Sequence, residues 1–281
     1  KNDSLLVMTR SYLLITNLNN KSLNFSKIKV PAAEDSGNKV GLFRTIWVIH
    51  SGEIYGMAGK LLVDLVGLIF IFVTLTGIFY WLAPHLLKRV KDSSKSRIKK
   101  VNRFSLKWHN RLGYWTVLVL LLTTITGMFL RPPLLISIAN TEVAKIKYSK
   151  LDDPNTWDDK FRDLMYDEVL KRYVVATSDG IYYSDDEFGS VLRKYSVQPP
   201  VSVMGINVFE KMATGGYLVG SFSGIFQWIP EQGIIIDYFT KLPYNEASRD
   251  GSPFGAISVA GFIGKPDGSQ FVFDYGGGAI R

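Results

Sequence analysis

Two long apolar runs constrain this chain more than any other feature of its sequence. Residues 61–83, LLVDLVGLIFIFVTLTGIFYWLA, contain a single charge, Asp64, and residues 113–130, GYWTVLVLLLTTITGMFL, contain none. Each run is long enough to cross a hydrocarbon core of about 30 Å as an α-helix. Because backbone polar groups in lipid must be bonded within their own segment, both runs predict transmembrane helices.

The segment that joins the two runs is strongly basic. From His85 to Arg111 it holds ten Lys or Arg residues and one acid, Asp92, while the whole chain has a net charge of +8. A basic segment between two spans predicts a cytoplasmic loop under the positive-inside rule, rather than a nucleic-acid patch. Such a loop can also contact anionic lipid head groups. Both flanks of the chain would then lie outside the cytoplasm, in the periplasm of a bacterium.

These assignments divide the chain into five parts. We expect a periplasmic β segment over 1–41, a first transmembrane helix with an amphipathic lead-in over 42–84, a basic cytoplasmic loop over 85–111, a second transmembrane helix over 112–139, and a periplasmic β-rich domain over 140–281. The first span should break near Pro84. A short helix is expected around residues 157–170.

A repeat runs through the last part of the chain. The segments YVVATSDGIYYS, YLVGSFSGIFQW and FVFDYGGGAI each predict two strands joined by a tight turn, at Gly180, Gly224 and Gly278. LLVMTRSYLLI near the start is a candidate fourth copy. The spacing is close to that of propeller blades, so we expect a blade-like antiparallel β-domain whose aromatic residues form its core.

The chain has no cysteine and only three histidines, His50, His85 and His109. Imidazole is therefore the obvious ligand for a transition metal or haem iron, although a histidine at a membrane interface is more often an interfacial or hydrogen-bonded residue than a ligand. No HExxH, GxSxG or phosphate-loop motif is present. His50 and His109 precede spans that enter from opposite faces, so they should lie about 30 Å apart, in two separate sites. His85 is a candidate partner for His109, whereas His50 has none.

The two spans share a short signature, TLTG at 74–77 and TTITG at 123–127, which suggests a weak internal repeat. The threonines can bond to their own helix or to a neighbouring helix. Gly56, Gly59 and Gly67 allow either close helix packing or room for a flat cofactor. Asp64 is an intramembrane charge, which either has a function or pairs with Lys60 one turn earlier.

Two of these motifs carry a family resemblance. HSGEIYGMAGKLLVDLVGLIFIFVTLTGIFYWL resembles the PepSY-associated transmembrane family of iron-regulated membrane proteins, and KWHNRLGYW…TITGMFL resembles the next span of that family. The resemblance covers residues 42–130 and implies a multi-pass bacterial inner-membrane protein with four helices and periplasmic domains. It also implies that further helices precede Lys1 and follow Arg281. His50 matches the outer-face histidine of the family and His109 its inner-face histidine, while His85 matches no motif position.

We therefore expect an α+β membrane protein, with a transmembrane hairpin from a four-helix bundle and a periplasmic blade-like domain. Better understood relatives resemble haem-containing reductases of ferric-siderophore uptake. The resemblance thus implies one or two b-type haems, held by His50 and His109, that reduce a periplasmic ferric chelate or siderophore. Electrons would come from a quinol or a cytoplasmic reductant, and other membrane subunits could supply ligands.

Two arginines near the outer face, Arg44 and Arg131, could pair with haem propionates, although lipid head-group anchoring is the favoured explanation. The alternative to a reductase is a non-catalytic membrane anchor or assembly partner. Its periplasmic β-domain would bind a protein or ligand, and its histidines would be structural. A transporter half is less well supported, because Asp64 is the only charge within the spans.

Overall fold

The computed structural model of the chain describes residues 3–19, 23–33, 37–213, 215–245 and 255–281. The chain forms two compact units. One consists of Lys39–Asp152 and is mainly helical; the other combines Lys1–Asn38 with Asp153–Arg281 and is built of strands. They are termed the helical unit and the strand unit.

The elements follow one another in a simple order. The chain starts with strands β1 (Ser4–Met8), β2 (Leu13–Asn17) and β3 (Ser26–Ile28). The helical unit comprises β4 (Lys39–Gly41), α1 (Leu42–His50), α2 (Gly56–Arg89), α3 (Asp92–Met128), α4 (Leu134–Ile138) and β5 (Glu142–Ala144). The strand unit continues with β6 (Phe161–Asp167), β7 (Arg172–Thr177), β8 (Gly180–Ser184), β9 (Arg193–Lys194), β10 (Ile206–Lys211), β11 (Tyr217–Ser221), β12 (Gly224–Ile229), β13 (Ile234–Asp237), β14 (Val259–Gly264), β15 (Gln270–Asp274) and β16 (Gly278–Ile280).

A glycine turn separates α1 from α2, so the amphipathic lead-in does not run on into the first span. Gly52 and Gly56 have φ values of 73° and 64°, which side chains rarely adopt, and a 3₁₀ turn, Glu53–Tyr55, lies between them. Gly59 of α2 packs tightly against this turn, because a Cβ there would lie 1.9 Å from the carbonyl oxygen of Gly52. The turn ends α1 at His50 and sets the direction in which α2 begins.

Two helices of the described residues are long and apolar enough to cross a membrane, Glu53–Arg89 and Asp92–Met128. Their apolar side chains are largely exposed: Leu68 is 65% and Leu118 78% accessible. The core helix of a soluble protein would bury such residues, whereas a lipid-facing helix exposes them. The two transmembrane helices expected from the sequence are therefore present, and α2 and α3 pack along each other as an antiparallel hairpin.

The basic segment is helical, which corrects the expected loop over 85–111. α2 continues through Pro84 to Arg89 and α3 begins at Asp92, so only two residues, Val90 and Lys91, connect them. Proline removes one helical hydrogen bond, and the packing of α2 against α3, where Ala83 is fully buried, compensates for this loss. The second span was expected to start after His109, but α3 begins at Asp92, so His109 lies inside this helix.

A short strand pair joins the two ends of the helical unit. β4 is antiparallel to β5, with Val40 opposite Val143, and the backbone N–H of Leu42 donates to the carbonyl of Thr141 (2.7 Å). Residues 39–41 and 140–152 thus belong with the helices, although the sequence suggested that they were parts of the β regions.

The described residues of the strand unit form four antiparallel sheets, each in sequential order: β1-β2-β3, β6-β7-β8-β9, β10-β11-β12-β13 and β14-β15-β16. The expected repeat is confirmed, because Gly180, Gly224 and Gly278 start the second strand of their hairpins with φ values of 129°, 121° and 82°. The segment at the start of the chain forms a fourth such hairpin, β1-β2. First strands contact one another in the order β1, β6, β10, β14, as the inner strands of propeller blades do.

The helix expected around residues 157–170 is wrong, because this region contains strand β6. Phe161 is buried, and β6 pairs with β7 along its whole length. Trp157 stacks on Phe161 with ring centroids 5.3 Å apart and donates from Nε1 to the carbonyl of Pro31 (2.8 Å). Non-local pairing and the aromatic core therefore outweigh the helix-like spacing of apolar residues. The aromatic residues of the strand unit largely form its core, as expected.

Candidate functional site

His109 of α3 lies against the neighbouring helix α2 near its Thr-Gly step. Its Nδ1 is 2.9 Å from the carbonyl oxygen of Val73 and 3.4 Å from Oγ1 of Thr76. A carbonyl can only accept, so Nδ1 must carry the proton and donate. The ring fits closely because residue 77 is glycine: a Cβ there would lie 3.0 Å from Cε1 of His109.

His50, the last residue of α1, lies against α3 in the same way. Its Nδ1 is 3.0 Å from the carbonyl oxygen of Thr123 and 3.1 Å from Oγ1 of Thr126. A Cβ at Gly127 would lie 3.1 Å from Cε1 of the ring. Both histidines therefore use the same contacts on different helices, and each set of contacts is termed a cradle.

The two cradles have the same construction. In each cradle, one residue accepts a hydrogen bond from the imidazole through its backbone carbonyl. Three residues after it comes a threonine, and the next residue is a glycine. The hydroxyl of Thr76 donates to its own helix, at the carbonyl of Phe72 (2.9 Å), and that of Thr126 donates to the carbonyl of Leu122 (2.7 Å). Each hydroxyl oxygen thereby turns a lone pair toward the ring. Thr76 and Thr126 thus bond both within their own helix and to a histidine of another helix, the two roles that the sequence left open.

The cradles leave one ring nitrogen of each histidine available. With the proton on Nδ1, a neutral imidazole has its lone pair on Nε2. Within the part of the chain that the structure describes, Nε2 of His50 and of His109 makes no hydrogen bond, and both side chains are only partly buried. A neutral imidazole fixed through Nδ1–H to a carbonyl is the form in which histidine binds a metal ion or haem iron.

The two rings belong to separate sites. His50 contacts α3 at residues 123–127, which lie about 21–27 Å along the helix axis from His109. This separation is close to the thickness of a hydrocarbon core. It agrees with the expectation that one cofactor cannot join both histidines.

A match to a known protein family identifies the class of protein that contains these two cradles. The family described as PepSY-associated TM region matches residues 22–164, just over half of the 281 residues. The chain belongs to the PepSY-associated TM region family. No curated protein and no solved structure matches it.

The region matched to the PepSY-associated family contains α1, both long helices, both histidines and both cradles. It ends within β6, so most of the strand unit lies outside it. The chain is thus a membrane protein of this family, and its candidate site lies wholly within the matched region.

His85, the third histidine, lies apart from both cradles. It is about 12 Å farther along the axis of α2 than Gly77. Its exposed ring packs against Trp81, with centroids 5.6 Å apart. The structure does not bring the imidazoles of His85 and His109 into contact, and a ligand role for His85 stays a prediction.

The two arginines expected near a cofactor lie at the His50 end of the helical unit. Arg44 is a partly buried residue of α1, and Arg131 is an exposed residue that follows the end of α3. The carbonyl of Arg131 accepts from the backbone N–H of Leu135 in α4 (3.1 Å). The structure therefore brings Arg44, Arg131 and His50 to one end, as the sequence indicated, while their binding roles stay predictions.

The expected pair between Lys60 and Asp64 is wrong. Lys60 pairs instead with Glu53, at 3.3 Å, and Glu53 also pairs with Lys150. Glu53 lies in the turn before α2, where the glycine turn directs its side chain toward both lysines. Asp64 is exposed, and it forms no ion pair with any residue that the structure describes.

The sequence did not identify the residues that hold the histidines. Val73, Thr76 and Gly77 in one cradle, and Thr126 and Gly127 in the other, had no assigned partner. The repeated Thr-X-Thr-Gly signature was the available signal, because a similar motif in two membrane helices indicates a similar contact. Among the described residues no group of three His, Asp or Glu side chains could hold a metal ion, so the cradles are the candidate site.

Proposed function

We propose that this member of the PepSY-associated family is a membrane-bound b-type haem electron-transfer protein. His50 and His109 each ligate one haem iron through Nε2. The observation that carries the proposal is the pair of cradles, which hold two imidazoles in the same tautomer with the same nitrogen available.

The residues present fit a haem. Gly77 and Gly127 leave space for the imidazole rings of the two histidines. In each cradle the carbonyl accepts from Nδ1–H, which orients the imidazole and makes Nε2 a better ligand. Haem supplies a one-electron iron couple, whose potential depends on the axial ligands and on the hydrogen bonds around them. Helix α3 spans both sites, since it contributes His109 to one and the cradle of His50 to the other.

Each haem would be held by one histidine of the described residues. The described residues bring no second imidazole to either ring, since His50, His85 and His109 lie apart. We propose that the second ligands come from further membrane helices or from another membrane subunit. This agrees with the four-helix bundle that the resemblance implies.

The charge of the hairpin end supports an orientation of the two sites in the membrane. Under the positive-inside rule the basic end of the hairpin lies in the cytoplasm of a bacterium, so His109 is nearer the cytoplasmic face and His50 nearer the periplasmic face. A quinol or a cytoplasmic reductant would donate electrons, and a periplasmic ferric chelate or siderophore would accept them. Arg44 and Arg131, at the His50 end, would pair with propionates, since guanidinium binds carboxylates in a bidentate manner.

Absorbance spectra of the detergent-purified protein test this function. We expect a low-spin b-type spectrum on dithionite reduction, and His50→Ala and His109→Ala should each remove about half of its intensity. His85→Ala tests the third histidine: because its ring lies outside both cradles, we expect the full spectrum, and a loss of intensity would instead give His85 the ligand role that the sequence predicted. A colourless protein, even after growth with added haem, would reject the electron-transfer function and favour the non-catalytic membrane anchor.

A further inference from the structure

The sheets of the strand unit pack on one another through faces that recur from sheet to sheet. The face that points toward the next sheet in the chain is termed the forward face, and the opposite one the rear face. In the second sheet, β6-β7-β8-β9, Val174 and Ile181 of the forward face are fully buried in the core shared with the third sheet, β10-β11-β12-β13. The third sheet repeats this contact, since its Leu218 and Ile225 pack in one cluster with Val272 of the fourth sheet, β14-β15-β16.

The strand register identifies the forward face of the fourth sheet. The residue after the turn glycine lies on the forward face, as Ile225 does in the third sheet. In the fourth sheet this residue is Ala279, and its partner on β15 is Phe273. Because side chains alternate along a strand, Phe271 lies on the same face, and its partner on β14 is Ile263. The forward face of the fourth sheet is therefore apolar.

No sheet of the described residues covers this forward face. Ile263 is 48% and Phe273 42% exposed, whereas Ala176, the counterpart of Phe273 in the second sheet, is fully buried. An exposed apolar patch of this kind is typical of an interaction surface. The repeat within the chain indicates what the surface fits, because the same face of the two preceding sheets is covered by the rear face of another sheet.

The rear face of the first sheet, β1-β2-β3, also exposes apolar residues. Leu6 and Met8 of β1 pack against the core shared with the second sheet, so the alternate residues Leu5 and Val7 lie on the rear face. Leu5 is 39% exposed and Val7 is only partly buried. Among its described residues, one copy of the chain thus has an open forward face at the fourth sheet and an open rear face at the first.

We propose that two copies of the chain close a ring, in which the fourth sheet of each copy packs on the first sheet of the other. A twofold axis then relates the copies, so both contacts are identical and the assembly is closed. Propellers typically have about four to eight blades, and two copies of four sheets supply eight. The contact between copies continues the one already repeated within the chain, forward face on rear face. The ring does not depend on the haem sites and goes beyond the proposed electron-transfer function.

Sedimentation equilibrium of the full chain in a density-matched detergent tests the ring. We expect a dimer for the wild type, with or without haem. For Phe273→Asp we expect a dissociation constant at least about a hundredfold higher, because the interface would bury an unpaired carboxylate. Val169→Asp is the matched control, since Val169 is an 80% exposed residue of the turn after β6, and it should keep the wild-type constant. A monomeric wild type, or equal constants in wild type and both variants, would overturn the proposal.

The third sheet shows which strands should meet between the copies. Gly220 is the counterpart of Phe273, and a Cβ there would lie 3.2 Å from Cγ1 of Val259, in the first strand of the next sheet. Phe273 should therefore face the first strand of the first sheet of the other copy, β1, which carries Leu5.

Crosslinking between copies tests this pairing without relying on a destabilised interface. The chain has no cysteine, so copies with Leu5→Cys are mixed with copies with Phe273→Cys and treated with a bismaleimide of about 10 Å, the spacing of stacked sheets. We expect crosslinked dimers in the mixture and none with either variant alone. A crosslink of Phe273→Cys alone would mean that two fourth sheets face each other, and no crosslink in the mixture would mean that the fourth and first sheets do not meet. Either result would overturn the ring.

Discussion

Gly127 of α3 lies directly beneath the imidazole of His50, a residue of α1. The space between them is so limited that a Cβ at 127 would lie 3.1 Å from Cε1 of the ring. Gly77 has the same relationship to His109, with a corresponding distance of 3.0 Å. A glycine at each position therefore decides whether a histidine from another helix can approach the threonine and the carbonyl of its cradle.

Replacing either glycine should remove one haem without unfolding the helices. Gly127→Val adds branched bulk where the His50 ring lies, so Nδ1 loses its carbonyl and Nε2 is misplaced. We expect about half of the haem content to be lost, measured as haem per protein, and the same for Gly77→Val. Gly67→Val and Gly113→Val are matched controls, because a Cβ at these helical positions meets nothing within 4 Å. Full haem content in Gly127→Val would contradict the role of the cradle.

The threonine hydroxyls should tune the histidines rather than hold them alone. Thr126→Val removes one acceptor near Nδ1 of His50 but keeps the carbonyl of Thr123 at 3.0 Å. We expect haem to remain bound with about tenfold weaker affinity and a shifted midpoint potential. Thr124→Val is the matched control, since among the described residues that hydroxyl bonds only to the carbonyl of Leu120.

The ring tautomer gives an independent readout that needs no haem. ¹⁵N NMR of haem-free protein should show His50 protonated at Nδ1 in the wild type and in Thr124→Val. In Thr126→Val the proportion of the other tautomer should rise. An unchanged tautomer ratio together with unchanged haem affinity would mean that the hydroxyl has no positioning role.

Local patterns account for what the sequence predicted well. The two transmembrane helices follow from uninterrupted apolar runs, and the hairpins follow from alternating strands around Gly180, Gly224 and Gly278. Both signals lie within a few dozen residues of sequence. The sequence also separated His50 from His109 correctly, since their order relative to the spans requires it.

Contacts between distant residues account for what the sequence did not predict. The Thr-X-Thr-Gly repeat was visible, but nothing local states that His50 meets Thr126 or that His109 meets Thr76. Similarly, β6 has a helix-like apolar spacing, and only its pairing with β7 makes it a strand. The basic segment was expected to be a loop because it is polar, although Lys and Arg are good helix formers.

Glu53 should contribute to the stability of the helical unit, whereas Asp64 should not. Glu53 pairs with Lys60 and with Lys150, so it ties the start of α2 to the segment that follows β5. We expect Glu53→Gln to lower the free energy of unfolding by about 1 kcal/mol, measured by thermal unfolding in detergent. Asp64→Asn is the matched control, and it should leave stability unchanged or raise it, because Asp64 has no ion pair among the described residues. Equal destabilisation by both changes would mean that Asp64 has a partner.

Asp167 is a buried carboxylate of the strand unit that accepts four hydrogen bonds. It is buried at the end of β6, where Oδ1 accepts from Nζ of Lys211 (2.7 Å) and Oδ2 from the hydroxyl of Tyr217 (2.6 Å). The backbone N–H groups of Val169 and Leu170 also donate to Oδ1, at 2.9 and 3.0 Å. Burial alone would raise the pKa of Asp167, but these donors outweigh it and lower the pKa to about 2.

The strand unit should therefore lose stability in acid through Asp167. Because its folded pKa lies below the ordinary value of about 3.9, the contribution is complete above pH 5 and is lost as the pH falls toward 2. The difference corresponds to about 3 kcal/mol. Asp167→Asn should lower the free energy of unfolding at pH 7 by about this amount or more. The gap in free energy of unfolding between variant and wild type should narrow from pH 5 to pH 2.

Tryptophan fluorescence during denaturant unfolding measures the free energies of unfolding of both proteins, since Trp228 packs against Tyr217. Glu168→Gln, at an exposed position of the turn that follows β6, is the matched control and should keep the wild-type pH dependence. A gap that stays constant with pH would mean that the charge of Asp167 contributes nothing to folding.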